Sequence, residues 1–129
     1  MLNNGLSLCS SSLRYKTEIR PYLGGIDVAK RLNPITFAWK DGGRRDIGFG
    51  AEDVFKVAPL LTFKNDKGEI EGVQYAQIST VLINSIKEQQ SQIEMQSQQI
   101  NLLQQQLRAQ QRQIRRLLGT QIRKPNRSR

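Results

Sequence analysis

The chain contains no histidine, which speaks against the usual zinc sites and against Ser–His hydrolase chemistry. Its single cysteine, Cys9, has no partner for an intrachain disulfide, and no pair of cysteines is present to bind a metal. Neither a cofactor nor a metal is therefore expected. No apolar run approaches the roughly 20 residues that a membrane-spanning helix needs. The opening MLNNGLSLCSS lacks a positive n-region, and its leucines are too scattered for an h-region. No secretory signal and no membrane partner are read from it. Neither a GxGxxG fingerprint nor a P-loop signature follows a strand pattern. Acidic residues are missing from Arg108 to the end. Arg108, Arg112, Arg115, Arg116, Arg123, Lys124, Arg127 and Arg129 supply eight of the nine net positive charges, so the remainder is close to neutral.

Glycine and proline are also unevenly spread. Beyond Tyr75 there is no glycine before Gly119 and no proline before Pro125. A chain of 129 residues can hold one modest domain, or a smaller head plus an extended element. The compositional break favours the second. Up to about Tyr75, aromatics, glycines, prolines and β-branched residues mix as they do in a small globular head. Such a head buries little, so stability from association is expected.

Within the head, residues 1–10 read as the remnant of an upstream stalk, and RYKTEI alternates weakly as a strand would. Ile26, Ala29, Lys30 and Leu32 follow at helical spacing with Asp27 in the first turn, and Asn33-Pro34 ends that helix. PITFAWK sets Ile35, Phe37 and Trp39 on one face. Asp41-Gly42-Gly43 is a turn, and DIGFGA returns as a second strand. AEDVFKVA predicts a short helix stopped by Pro59; LLTFK, NDKG and EIEGVQY predict a second hairpin. Trp39 and Phe49 are expected in the core, Gly48 and Gly50 as close-packing positions, and Glu52 and Asp53 as helix-capping residues. Hairpins mixed with short helices indicate an α+β fold.

From Tyr75 to Leu118 the pattern is one long helix. Ile86, Ile93, Ile100, Leu107 and Ile114 recur every seven residues, with Leu82, Leu103 and Leu117 in the companion positions and Gln89, Gln96 and Gln110 filling the rest of that series. A seven-residue apolar repeat kept up over this length implies a left-handed coiled coil. Glutamine in half of the companion positions suits a wider, partly hydrated seam. Isoleucine in one series with leucine in the other would favour a dimer, but with half of the companion sites Gln a parallel homotrimer over 76–118 is the expectation, followed by a basic, disordered tail over 119–129.

Two segments carry a family resemblance. SSSLRYKTEI, starting at Ser10, resembles the lead-in of the intramolecular chaperone auto-processing domain found at the C-termini of phage tail spikes, tail fibres and endosialidases, and within the myelin regulatory factor. That lead-in commonly runs Ser-Asp-x-Arg-Leu-Lys, followed by an Ile. Ser11, Arg14, Lys16 and Ile19 match, whereas Ser12 stands in place of the Asp and Tyr15 in place of the Leu. FAWKDGGRRDIGFGAEDVFKVAP is similar to the family's Trp-Lys-Asp hairpin and the helix after it, and VQYAQISTVLINSIKEQQSQI to its passage into the coiled coil. The resemblance spans Ser10 to Leu107. It implies a homotrimer that holds parent chains in register while an upstream stalk, its folding client, folds. It also implies that Ser11 is the nucleophile and Lys16 its base, cutting the Ser10–Ser11 bond. Assembly would take place in the host cytoplasm, with the parent protein in a virion tail or on the bacterial surface.

Lysine can serve as the base without histidine only as the neutral amine, so burial or nearby positive charge must lower its pKa from about 10.4; Arg14 and Arg20 are the sequence neighbours to consider. Positions five apart on a straight strand lie roughly 16 Å apart on opposite faces. Ser11 and Lys16 therefore meet only if the chain turns between them, or if the lysine comes from another subunit. Two other functions compete. A non-cleaving, permanent trimerisation module is favoured by the loss of the Asp. Nucleic-acid binding through the basic tail is disfavoured, because the tail follows the coiled coil, where a leucine-zipper protein has its basic region first, and has no aromatics to stack on bases.

Overall fold

A computed structural model describes residues 11–122. The stalk remnant 1–10, with Cys9 and Ser10, and the basic residues 123–129 lie outside the described residues. The architecture is α+β: a short 3-10 turn at Leu13–Tyr15, α1 (Ile26–Arg31), β1 (Ile35–Ala38), β2 (Arg45–Gly48), α2 (Ala51–Val57), a 3-10 turn at Pro59–Leu61, β3 (Thr62–Lys64), β4 (Ile70–Val73) and α3 (Tyr75–Ile122). The strands form two separate antiparallel hairpins, β1–β2 and β3–β4.

The β1–β2 hairpin pairs Ile35 with Gly48 and Ala38 with Arg45. Gly42 and Gly43 at the turn have φ of 75° and 64°, a left-handed conformation that only glycine adopts without cost. Trp39 does not enter the core: it is half exposed. Its ring meets Phe37 edge-on at 5.2 Å, and its indole N–H donates to Asp46 at 3.2 Å. Of the predicted face, only Phe37 is even partly covered: the Tyr75 side chain of α3 lies against Gly48 at the Phe37 end of the hairpin, whereas Ile35 and Trp39 stay exposed. The Asp46 carboxylate also accepts from the Ile47 amide at 2.9 Å and pairs with Arg44 at 3.3 Å. The Ile47 amide first, then Trp39 and Arg44, hold its pKa below the ordinary 3.8.

A depressed carboxylate pKa favours the hairpin above the unfolded value, and that contribution is lost as pH falls through the folded value. Trp39 is the one tryptophan, so its emission reports this step. The expected transition has a midpoint below 3.8 and disappears in Asp46→Asn. A midpoint at or above 3.8 would show that these bonds do not hold the ionised form.

The second hairpin begins later than LLTFK suggests. Pro59, with its fixed φ, opens a 3-10 turn through Leu61, so the strand starts at Thr62. Glu52 and Asp53 lie in the first turn of α2, where negative charge complements the helix dipole. Neither provides a side-chain cap, and Asp53 instead pairs with Lys56 at 3.1 Å.

The core is small. Val54, Ala58, Leu61 and Val81 are buried, and Val28, Ala29, Leu32, Phe49, Val57, Val73 and Ile78 pack around them. Helix α3 enters this core at its N-terminal end. The Gln74 amide donates to the Leu61 carbonyl at 2.8 Å, and the Tyr75 hydroxyl accepts from the Phe49 amide at 3.1 Å. The face that meets the head comprises Ile78, Val81, Asn84, Ser85 and Glu88. Leu82 and Ile86 lie roughly a third of a turn away at 3.6 residues per turn, and they are 52% and 60% exposed. From Ile86 to Ile122 every side chain is exposed. The helix has 48 residues and is therefore about 72 Å long, running past Gly119 without a break. No helix among the described residues is long and apolar enough to cross a membrane.

Candidate active site

RYKTEI forms no strand. Both hairpins have only two strands, and neither pairs an edge with this segment. Its amides are met locally instead: Tyr15 donates to the Ser12 carbonyl at 3.2 Å and Lys16 to the Leu13 carbonyl at 3.0 Å. That 3-10 turn folds the chain back, so one chain brings together two side chains five positions apart. The Lys16 ammonium donates to the Ser11 hydroxyl oxygen at 3.1 Å and to the Ser11 carbonyl at 3.0 Å. Both residues are exposed. Arg14 lies over the Tyr15 ring, 4.7 Å from its centre, and no described hydrogen bond or ion pair joins Lys16 to an arginine or a carboxylate. Ser12, in the place of the motif Asp, precedes the turn and makes no side-chain cap to it.

The arm over residues 11–23 lies off the core. Leu13, Tyr15, Ile19 and Leu23 are 66%, 67%, 62% and 86% exposed. Glu18 has φ of 50°, a left-handed conformation that is uncommon outside glycine and re-aims the chain between Lys16 and Tyr22. The arm joins the body through α3. The Asn84 amide donates to the Tyr22 carbonyl at 2.8 Å and to the Gly24 carbonyl at 2.9 Å, and the Glu88 carboxylate accepts from the Ile26 amide at 3.3 Å. The heptad pattern by itself gives neither residue a role. The spacing of Val81, Asn84, Ser85 and Glu88 forms a second stripe, apart from the apolar one, and was the available signal.

The predicted seam residues Leu82, Ile86, Ile93, Ile100, Leu103, Leu107, Ile114 and Leu117 are all 52–62% exposed on the single chain. None of them belongs to the core cluster of the head or to the side chains packed around it.

These features define a small α+β module whose helix far outruns its own core and whose N-terminal arm presents a serine against a lysine. Residues 11–66 match the family model described as chaperone of endosialidase, a peptidase family by name, and over this span the chain is similar to the intramolecular chaperone domain of that family. The match takes in the Ser11/Lys16 arm, the first hairpin, α2 and β3, and ends before α3 begins. No curated protein and no solved structure matches the chain.

Proposed function

We propose that this chain is the C-terminal intramolecular chaperone of a phage tail-fibre or tail-spike type protein, that it trimerises through α3, and that it releases itself by cutting the Ser10–Ser11 bond. The contact between Lys16 Nζ and Ser11 Oγ at 3.1 Å carries this reading. It supplies, within one chain, the nucleophile–base proximity that the chemistry requires.

In the reactive form the lysine is the neutral amine, and the hydrogen bond reverses so that the Ser11 hydroxyl donates to Nζ. Lys16 takes that proton as Oγ attacks the Ser10 carbonyl carbon. It returns a proton to the Ser11 nitrogen as the peptide C–N bond breaks, which leaves an ester between the Ser10 carbonyl and Ser11 Oγ. Water then hydrolyses the ester, giving a Ser10 carboxylate and a chain that begins at Ser11 with a free amine. A residue five positions on can serve here because the 3-10 turn has already been formed by local hydrogen bonds, so little ordering remains at the moment of reaction.

The chaperone role follows from the uncovered heptad stripe. Three such helices side by side would join three parent chains at high effective concentration and in one register while a stalk rich in non-local contacts folds slowly. Cutting would then leave a kinetically trapped product. Assembly would proceed in the host cytoplasm, with no cofactor and with the upstream stalk as client.

A second reading, a permanent clamp that no longer cuts, is favoured by one observation: Ser12 makes no side-chain contact to the turn where the family motif has an Asp. Intact mass after expression behind about a hundred upstream residues separates the two. The expected product begins at Ser11. A parent that stays whole while still assembling would establish the clamp.

A further inference from the structure

We infer that Asn84 and Glu88 of α3 form a latch that fixes where the Ser11/Lys16 arm leaves the body, and that they act as positioning residues for self-cleavage; the second part rests on the cleavage reading above. The two side chains lie one helical turn apart on the same face of α3 and grip consecutive backbone groups. Asn84 Nδ2 donates both of its hydrogens, to the carbonyls of Tyr22 and Gly24. Glu88 Oε2 accepts from the Ile26 amide, the first N–H of α1 and one without an intrahelical acceptor. Gly25 is buried between them. A Cβ there would collide with the Glu88 carboxylate and sit 3.3 Å from the Asn84 Cβ, so glycine is needed for this approach.

Upstream of the latch, no described hydrogen bond or ion pair ties the arm over residues 11–21 to the body. The hydrogen bonds of residues 11–16 are to one another, and none of the described bonds joins residues 17–21 to another element. The direction in which the arm projects is therefore set at Tyr22–Ile26. Asn84 lies between Leu82 and Ile86 in sequence but about 160° from each around the helix, so the latch ties the arm to the stem at the level of the first layers of the apolar stripe and on the side away from it.

The chemistry of the two contacts gives isosteric tests. Asn84→Asp keeps the shape but removes both donors and sets a carboxylate against two carbonyls. Glu88→Ala removes the acceptor, whereas Glu88→Gln keeps an oxygen that can accept from Ile26. Two readouts are taken on the full chain. One is hydrogen exchange at the Ile26 amide together with chymotryptic cutting after Tyr22 or Leu23. The other is the rate of self-release from an upstream fusion. Thermal unfolding and helical content serve as folding controls.

With those controls unchanged, Asn84→Asp and Glu88→Ala are expected to speed exchange and chymotryptic cutting at least tenfold and to slow self-release by a similar factor. Glu88→Gln is expected to stay within about twofold of the parent in both. If Asn84→Asp and Glu88→Ala leave exchange and cutting as they were, there is no latch. If they open the segment but release is as fast as in the parent, the positioning role fails. If the parent itself does not cut, the cleavage reading and the positioning role fall together, and the exchange data alone still decide whether the latch exists.

Discussion

Replacing Ile93 and Ile100 by aspartate is expected to turn the assembly into monomers and to melt most of α3 beyond the head. No described hydrogen bond joins the helix to the head after Glu88, and all its side chains from Ile86 onwards are exposed on the single chain. An isolated helix gains little from propensity alone, and most helical stability comes from packing an apolar face. On the reading that α3 trimerises, each Ile in the seam contributes about 1.5–3 kcal/mol by leaving water. An aspartate there loses that contribution and adds a charge with no partner, and the change is repeated in all three chains. The glutamines at 89, 96 and 110 already make half of the companion layers polar, so the isoleucine layers carry most of the association. Far-UV circular dichroism should fall to what the head and the first turns of α3 account for. Retention of the full helical signal in a monomer would mean that the helix stands without partners.

The second large effect concerns the dyad. In a parent chain that cuts itself, Ser11→Ala and Lys16→Ala are each expected to slow cutting on the order of 10³-fold or more, the usual result of removing an activated nucleophile or its base. Lys16→Arg is the sharper variant. Guanidinium keeps the positive charge and can still donate to the Ser11 carbonyl and hydroxyl, but it stays protonated and cannot take the serine proton. It should therefore be as inactive as alanine. The parent rate should rise with pH, because only the neutral amine is competent. Cutting by Lys16→Arg at more than a tenth of the parent rate would make Lys16 a positioning residue for the Ser11 carbonyl and leave the base unassigned.

Elements governed by local rules were legible in the sequence. Asp41-Gly42-Gly43 turned the first hairpin, Pro59 ended α2, and the long span without glycine or proline became one helix. Features set by tertiary context were not. Weak alternation in RYKTEI suggested a strand, but a strand needs an edge to pair with, and local amide bonds formed a turn instead. Trp39 shares its strand face with Phe37, yet the cover from Tyr75 reaches only the Gly48 end, and the indole stays half exposed and settles on Asp46. Glu18 adopts a left-handed backbone that no residue type in its neighbourhood announces. Asn84 and Glu88 hold backbone groups some 60 positions upstream, a pairing that helical periodicity alone does not reveal. The Ser11/Lys16 pair was legible as a motif. Its proximity was not, because it depends on a three-residue turn of ordinary composition.

In the proposed function, trimerisation would underlie both the chaperone role and the register it would impose, so the molar mass of the chain in solution at micromolar concentration is the most direct test. Light scattering or sedimentation equilibrium should give three times the chain mass of 14.7 kDa, falling to the chain mass when Ile93 and Ile100 are replaced by aspartate. A single-chain mass for the unaltered protein would contradict the account.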